Sequence, residues 1–327
     1  MGMLIDGVWT TKWYEPDDAG QFVRPETHFR DRVTADGSSG FPAAAGRYHL
    51  YVSYACPWAH RTLVARALLG LEEAISVSVV DPIMGDDGWA FGERDGCTPD
   101  PIFGARFLRS IYLRADVGYS GRVTVPVLWD RERATIVSNE SREILRMLDV
   151  EFAAHHRIPI SLYPKSMRAS VDRTLDELYT PINNGVYRAG FATQQAAHEE
   201  AVRELFAALD RWEKVLAKQR FLCGEVVTEA DIALFTTLLR FDAVYFGHFK
   251  CNVRRIADYP QLSNYLRDMV QLPGVAGVCR LDHIKEHYYR SHPQINPTRI
   301  VPVGPEIDLE APHDRSRHCG ELFATAQ

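Results

Sequence analysis

The sequence predicts an α/β domain followed by an all-α domain. Two observations support this fold class: strand-like runs flank a stretch of helical spacing within residues 48–80, and apolar residues beyond residue 164 recur at helical spacing. The length of 327 residues also favours two domains. We therefore predict four segments: an irregular N-terminal arm over 1–45, an α/β domain over 46–150, a linker over 151–163, and a helical domain with an extended tail over 164–327.

The α/β domain is organised around a strand, a cysteine and a helix. Residues 48–53 form a β-like run, and Pro57 suits the first turn of a helix that we predict to reach residue 69. Cys56 therefore lies at a helix N-terminus, where free N–H groups and the helix dipole favour an anion. We expect the Cys56 thiol to have a lowered pKa and to be largely thiolate near neutral pH.

The cysteine has no partner within its own motif. Thioredoxins carry Cys-x-x-Cys at this point, whereas the fourth residue here is Ala59. A thiolate at Cys56 can attack a sulfur but needs an outside thiol, such as glutathione, to complete a reaction. The alternative is a buried structural cysteine after a strand.

The remaining strands follow in order. Residues 75–80 predict a second strand, parallel to the first because a helix connects them. A third strand over 123–130 contains Pro126, which indicates an edge position, a strand start or a cis bond. A fourth strand over 135–138 leads into a helix that opens at 139–141 and runs to 149. This order is the thioredoxin-like layout.

The second half is predicted to be helical. One apolar stripe spans residues 202–216 at a period of 3.6. Thr228 to Asp231 forms a capping-box pattern before an apolar run, and Pro260 starts another helix. Beyond residue 297 the chain is proline-rich, and we expect a tail that lies over the surface.

Composition narrows the functional class. The formal net charge is −6 without a block of Lys or Arg, which argues against nucleic-acid binding, and we expect most arginines on solvated helix faces. No apolar run reaches the ~18 residues of a membrane span. The N-terminus lacks a signal-peptide pattern, and six dispersed cysteines favour free thiols in a reducing cytoplasm. Neither the cysteines nor the histidines have the spacing of a metal site, so no metal is expected.

Five motifs are spread over nearly the whole chain. They are CPWAHR at 56–61, GRVTVPVLWD at 121–130, SNES at 138–141, NNGVYRAGFA at 183–192 and HYYRSHPQINPTRIVPVGP at 287–305. Together they resemble the glutathionyl-hydroquinone reductases, the Xi class of the glutathione transferase superfamily. The resemblance implies a thioredoxin-like glutathione-binding domain followed by a helical glutathione-transferase domain.

The resemblance also implies a reaction. Cys56 would attack the glutathione sulfur of a glutathionyl-hydroquinone and release the hydroquinone, leaving a Cys56–glutathione mixed disulfide. A second glutathione would resolve that disulfide. Glutathione is thus the co-substrate, and the family usually forms homodimers. The physiological quinone stays open.

Glutathione-binding residues are carried over from the same motifs. The resemblance assigns this role to Trp89, Arg122, Val123, Thr124, Val125, Glu140 and Ser141. Backbone ahead of Pro126 could pair with the glutathione peptide in strand-like fashion, and Glu140 could accept from the γ-glutamyl ammonium. Ser141 and the helix N-terminus could receive the α-carboxylate. The alternatives are simple helix capping by Glu140 and Ser141, and a core aromatic at Trp89.

Three tyrosines complete the expected site. Tyr187 resembles the family tyrosine that exchanges a proton with the quinone oxygen, while Tyr245 and Tyr288 match positions that stabilise the thiolate. Tyrosines in helices usually lie at a core edge with the hydroxyl in water, which is the structural alternative. Tyr289 is adjacent to Tyr288, so a swap stays open. We read His60 as structural or exposed.

Two rival functions remain. The first is an omega-like thioltransferase or dehydroascorbate reductase that uses the same Cys56 on mixed disulfides. The second is a non-catalytic glutathione-binding module. The tyrosines and the 287–305 motif argue against the first rival. Retention of Cys56 and Pro126 together with Glu140 and Ser141 argues against the second.

Overall fold

The structure, a computed structural model, describes residues 2–318 and 321–325. Its central sheet has four strands in the order β4-β3-β6-β7. These are β3 (Tyr48–Val52), β4 (Ser76–Val79), β6 (Val127–Asp130) and β7 (Thr135–Ser138). β3 pairs with β4 in parallel, and β6 pairs antiparallel with both β3 and β7. The predicted thioredoxin-like order is therefore confirmed.

Two helices from the α/β half cover this sheet. Helix α1 (Pro57–Leu68) begins directly after Cys56, and α3 (Ser141–Val150) begins after Glu140. All five residues of β3 are buried, because helices or loops cover both faces of the strand. Helix α1 packs against α3 on one side and against the helical half on the other. The N-terminus of α1 therefore lies where the two halves meet.

The predicted strand over 123–130 is shorter than expected. Strand β6 begins only at Val127, and the Val125–Pro126 peptide bond is cis, one of the three alternatives that Pro126 left open. Proline cannot donate to a ladder, so the segment before it leaves the sheet. Residues 123–126 form a loop that approaches the N-terminus of α1.

The N-terminal arm is not wholly irregular. Strands β1 (Met3–Ile5) and β2 (Val8–Thr10) form a hairpin, and β1 also pairs with β5 (Gly121–Arg122) in a second, three-stranded sheet. Asp6 and Gly7 both have positive φ angles at the turn, which a two-residue hairpin of this kind requires. Helix α2 (Arg109–Ala115) lies in the insertion before β5. The arm is thus tied to the loop that precedes Pro126.

Six helices build the second half. They are α4 (Arg168–Leu178), α5 (Gly185–Gly190), α6 (Gln195–Leu216), α7 (Glu229–Arg240), α8 (Pro260–Val270) and α9 (Leu281–Ser291). The capping box is confirmed: the Asp231 carboxylate accepts from the Thr228 N–H at 2.9 Å. No helix in residues 2–318 or 321–325 is long and apolar enough to cross a membrane.

The linker and the tail contact each other. Strand β8 (Ile160–Ser161) in the predicted linker pairs with β9 (Ala324–Thr325) at the end of the chain. Arg315 is fully buried and donates to the carbonyls of Leu216 and Arg220, both at 2.7 Å. The predicted tail is extended and exposed or half-buried over most of its length, and Arg315 anchors it in the interior. The division into four segments stays a prediction.

Candidate active site

A cavity of about 730 Å³ lies between the loop before Pro126, the N-termini of α1 and α3, the arm and the helical half. Five of the predicted glutathione residues line it: Arg122, Thr124, Val125, Glu140 and Ser141. The remaining two, Trp89 and Val123, are buried and do not line it. Trp89 instead stacks on the ring of His287, with 4.9 Å between centroids.

Cys56 lies beside this cavity. It is the N-cap residue of α1, and its Sγ donates to the Val125 carbonyl at 3.5 Å. Burial raises the pKa of the Cys56 thiol, and the N–H of Ala59 and the guanidinium of Arg240 oppose that rise without cancelling it. The expectation of a lowered pKa is therefore wrong, because desolvation outweighs the helix terminus.

Arg240 fixes the turn that carries the cysteine. Its fully buried guanidinium donates to the carbonyl of Ala55 at 2.9 Å and to that of Tyr54 at 2.7 Å. A third bond, of 2.6 Å, reaches Thr236 on the preceding turn of α7. His60 is buried and its ring contacts the same guanidinium at 3.3 Å, which confirms its structural interpretation. The helical half thus holds the Cys56 turn in place.

The start of α3 forms the polar end of the cavity. Glu140 is the N-cap residue, and its carboxylate accepts from the Arg142 N–H at 3.2 Å and from the Thr27 hydroxyl at 3.4 Å. Ser141 is the first residue of the helix and is buried. The capping alternative is therefore correct as a description of the Glu140 contact. Each carboxylate oxygen of Glu140 accepts one of these two bonds and can accept another, so the carboxylate and the helix terminus leave room for a ligand role as well.

Hydrogen bonds from Tyr112 and Arg122 hold the loop ahead of Pro126 in place. The Tyr112 hydroxyl donates to the Thr124 carbonyl at 2.8 Å and accepts from the Thr124 N–H at 3.2 Å. Arg122 donates to the Lys12 carbonyl at 2.6 Å and lies over the Tyr14 ring, 4.1 Å from its centroid. The Thr124 backbone is thereby occupied, whereas no hydrogen bond within the described residues uses the Val125 N–H. Val125 is the residue that presents free backbone to the cavity.

The three predicted tyrosines meet in one chain of hydroxyls. Tyr288 lies in the middle, 2.6 Å from the Tyr187 hydroxyl and 3.0 Å from that of Tyr245. Burial raises the pKa of all three, so they remain protonated donors. In the part of the chain that the structure describes, no hydrogen bond joins Tyr245 or Tyr288 to the Cys56 sulfur. The predicted direct contact with the thiolate is therefore not present.

The adjacent pair Tyr288 and Tyr289 is now distinguished. Tyr288 is buried in the hydroxyl chain, whereas Tyr289 is partly exposed and its hydroxyl donates to the Ala243 carbonyl at 3.4 Å. Burial raises the pKa of Tyr187, and the negative charge of a Cys56 thiolate raises it further, so this tyrosine is electrostatically coupled to the sulfur. Tyr288 and Tyr245 lie behind it.

Sequence reasoning missed two arginines of this site. Arg61 on α1 is 5% exposed, and its Nε has no hydrogen-bond partner among the described residues. Burial lowers the pKa of Arg61 to about 10. Arg24 from the arm lies over the indole of Trp58, as Arg61 does, at 4.7 and 4.3 Å respectively. The expectation that arginines lie on solvated helix faces fails here. The one available signal was Arg61 within CPWAHR.

Comparison with known proteins gives consistent matches. Residues 55–151 match the family described as "Glutathione S-transferase, N-terminal domain", and residues 195–268 match "Glutathione S-transferase, C-terminal domain". The chain is 51% identical to "Glutathionyl-hydroquinone reductase YqjG" of Escherichia coli K12, over 98% of this chain and 100% of that protein. It is also 51% identical to "Glutathionyl-hydroquinone reductase PcpF" of Sphingobium chlorophenolicum, over 94% and 98%.

Solved structures agree with these relatives. A Xi-class glutathione transferase from Natrialba magadii superposes with a TM-score of 0.93 at 54% identity, over 98% of both chains. The glutathione-bound structure of YqjG from Escherichia coli K-12 gives a TM-score of 0.89 at 49% identity, over 96% of this chain and 99% of that one. Both likenesses cover both halves of the chain.

Proposed function

Because this chain belongs to the glutathionyl-hydroquinone reductases, the Xi class of the glutathione transferases, we propose that it reduces glutathionyl-hydroquinones with glutathione. The observation that carries this function is the 51% sequence identity, over nearly the full length of the chain, with two reductases of that name. The position of Cys56, at a helix start beside a cavity of about 730 Å³, supports its role as the nucleophile.

The reaction is thiolate exchange on sulfur. Cys56 attacks the glutathione sulfur of the conjugate, the bond from that sulfur to the ring breaks, and the ring leaves with the electron pair and gains one proton. The two sulfurs are oxidised to a Cys56–glutathione disulfide. A second glutathione displaces Cys56 and leaves as glutathione disulfide, so its thiol supplies the reducing equivalents. Ala59 in place of a second cysteine fits this cycle.

Glutathione binds along the thioredoxin-like wall. The free Val125 N–H and its carbonyl pair with the cysteinyl part, Glu140 accepts from the ammonium, and Ser141 receives the α-carboxylate. Arg61 is well suited to neutralise a glutathione carboxylate, because it is buried, its Nε has no hydrogen-bond partner among the described residues, and a buried charge is costly unless an anion pairs with it. The roles of Arg122, Thr124, Val123 and Trp89 stay predictions, and the position of Trp89 outside the cavity weakens the last of these.

Substrate binding would offset the raised pKa of the Cys56 thiol. The Cys56 sulfur is desolvated, so it stays protonated to a higher pH than an ordinary thiol does. Hydrogen-bond donors that reach the sulfur when substrate is bound would favour the thiolate. Tyr187 is the proposed donor, because it is electrostatically coupled to Cys56. Tyr187 also gives its proton to the departing ring, while Tyr288 and Tyr245 orient its hydroxyl through their chain of bonds.

We further propose a homodimer in a reducing cytoplasm. Five cysteines in the described residues are free, namely Cys56, Cys97, Cys223, Cys251 and Cys279, which suits a reducing compartment. Cys319 lies outside the described residues. The dimer is supported by the family alone, and light scattering after size-exclusion chromatography tests it.

Intact mass spectrometry tests the central claim. After mixing with a glutathionyl-hydroquinone in the absence of free glutathione, the protein should gain the mass of one glutathione, and Cys56→Ser should gain none. Rates on a glutathionyl-hydroquinone and on a glutathione mixed disulfide separate the two catalytic functions. A faster rate on the mixed disulfide would favour the thioltransferase, and glutathione binding without any adduct would favour the non-catalytic module.

A further inference from the structure

The N-terminal arm contributes one cation to the interior of the site. Arg24 lies over Tyr187, with 5.2 Å between the guanidinium carbon and the ring centroid, and over Trp58 at 4.7 Å. Trp58 belongs to α1 and Tyr187 to α5. The arm therefore places a positive charge between the two halves of the molecule, next to the tyrosine proposed as proton donor.

Arg24 has no carboxylate partner among the described residues. Its one hydrogen bond there runs from Nε to the neutral Asn184 Oδ1 at 3.2 Å, and both terminal nitrogens are unused. Three other arginines of the same cavity are neutralised: Arg30 pairs with Glu143, and Arg142 and Arg146 pair with Asp172. Arg61 and Arg122 also line the cavity without a carboxylate partner among the described residues, but only Arg24 of these three lies over the Tyr187 ring. A partly buried guanidinium kept free of anions in a protein with net charge −6 is suited to bind an anion of a ligand.

The positive charge of Arg24 acts on both reacting groups, the Cys56 thiol and the Tyr187 hydroxyl. Burial raises the pKa of Cys56 and of Tyr187, and the charge of Arg24 opposes the rise in both. The γ-glutamyl part of glutathione does not account for Arg24, because the groups suited to that part, Glu140 and Ser141, lie at the start of α3. The side of the cavity near Tyr187 is where the ring of a conjugate would lie.

We propose that the guanidinium of Arg24 binds the ring oxygen of the hydroquinone as negative charge develops on it. The inference rests on the proposed reductase function. Before attack, one hydroxyl proton of the ring moves to the carbon that bears the sulfur, which gives a ketone form. When the Cys56 thiolate attacks the sulfur, the pair of the broken carbon–sulfur bond enters the ring and ends on the ketone oxygen as a phenolate. That phenolate then takes a proton from Tyr187, and Arg24 holds it until the transfer.

A substrate preference follows from this role. Electron-rich hydroquinones form poorly stabilised phenolates and need the cation most, whereas chlorinated rings stabilise the charge themselves. Arg24 therefore extends the substrate class of the enzyme toward conjugates of alkyl-substituted hydroquinones. Without the cation, the reaction rate should depend more steeply on the acidity of the ring hydroxyl.

Single-turnover release of hydroquinone tests the proposal. Conjugates of methyl-substituted, unsubstituted and chlorinated hydroquinone are compared in the wild type, Arg24→Gln and Arg24→Lys. Arg24→Gln should slow the methyl-substituted conjugate by about 10²-fold and the chlorinated one by only about tenfold. Arg24→Lys keeps the charge and should recover part of the loss. Arg254→Gln, which removes an arginine stacked on Tyr259 away from the cavity, should match the wild type.

Exchange on a glutathione mixed disulfide distinguishes an effect of Arg24 on the ring oxygen from an effect on the Cys56 sulfur. That substrate uses the same Cys56 but has no ring oxygen, so Arg24→Gln should slow it far less than the methyl-substituted conjugate. An equal loss on all four substrates would overturn the proposal, since Arg24 would then act on Cys56 alone. Wild-type rates in Arg24→Gln would overturn it as well. Failure of the reductase function itself would look different, because the wild type would then release no hydroquinone.

Discussion

The two walls of the cleft are built in opposite ways. On the thioredoxin-like wall, most residues that line the cavity come from two stretches, 119–126 and 139–146, and Trp58 and Arg61 come from α1. On the helical wall, the hydroxyls that meet at Tyr288 come from residues 101 and 43 positions away in the chain. One wall presents backbone and helix termini, and the other is backed by three buried tyrosines that do not themselves line the cavity.

This difference corresponds to the two parts of the substrate: the glutathione part is constant, and the hydroquinone ring varies. Glutathione is the same in every turnover, so backbone N–H and C=O groups fixed by a loop and a helix start suffice to bind it. The ring varies, and a wall of aromatic side chains contacts it chiefly through stacking and a few hydroxyls. Changes on the first wall should therefore alter glutathione affinity, and changes on the second should alter the chemistry of the ring.

Loss of the nucleophile should have the largest effect, since Cys56 lies between the two walls. Cys56→Ser should lower hydroquinone reduction by at least about 10³-fold, because serine is a poor nucleophile toward sulfur. Glutathione binding, followed by calorimetry, should remain. A variant that keeps more than a few per cent of the wild-type rate would place the nucleophile elsewhere.

Tyr187→Phe tests the helical wall. The change removes the hydroxyl proposed as proton donor and should lower hydroquinone release by about 10²-fold while leaving the glutathione KM nearly constant. The matched control is Tyr289→Phe, because that hydroxyl lies outside the chain of tyrosines. Equal rates in both variants would mean that the helical wall supplies no chemistry and would favour the thioltransferase.

Glu140→Gln tests the opposite wall. The amide oxygen can still cap α3 by accepting from Arg142, but the charge that pairs with the glutathione ammonium is lost. The glutathione KM should rise about tenfold, with kcat little changed. Glu143→Gln removes a charge one turn further along, paired with Arg30, and serves as control. A fall in kcat instead of affinity would contradict the division between the walls.

Buried histidines should make both halves sensitive to acid, since burial also lowers the pKa of His49 in the α/β half to about 4. Burial lowers the pKa of His248 and of His287 to about 4, from an ordinary 6.5. The unfolded chain then binds protons that the folded chain does not, so stability is complete above about pH 6.5 and falls as the pH drops toward 4. Urea unfolding near pH 7 and near pH 5 should show a loss of roughly 1–3 kcal/mol to which these histidines contribute. His248→Asn should reduce that loss, and an unchanged loss would mean that other groups dominate.

The smallest effect is expected at Tyr245. Tyr245→Phe removes one hydroxyl bond, to Tyr288, and should cost about 1 kcal/mol of stability. Alkylation of Cys56 by iodoacetamide across pH should match the wild type, because the tyrosine does not contact the sulfur. A shift of that profile to higher pH would restore the original sequence prediction that Tyr245 stabilises the thiolate directly.

The sequence by itself determined the parts that depend on neighbouring residues. The strand, Cys56, Pro57 and helix α1 were all predicted to within a residue or two, and so were strand β7 and the capping box at Thr228. Turn chemistry, capping and strand periodicity act over a few positions, so the local pattern carries them. The family motifs added the identities of the tyrosines.

Tertiary structure alone decided the electrostatics of the site. Arg24, Arg61 and Arg240 come from three separate segments, and apart from the place of Arg61 within CPWAHR nothing near them in the sequence marks them as buried. The Cys56 pKa was predicted in the wrong direction for the same reason: a helix terminus is a local feature, whereas desolvation sums the contacts of the arm, α1 and the helical half. Burial is a property of segments far apart in the chain, so only the folded molecule sets it.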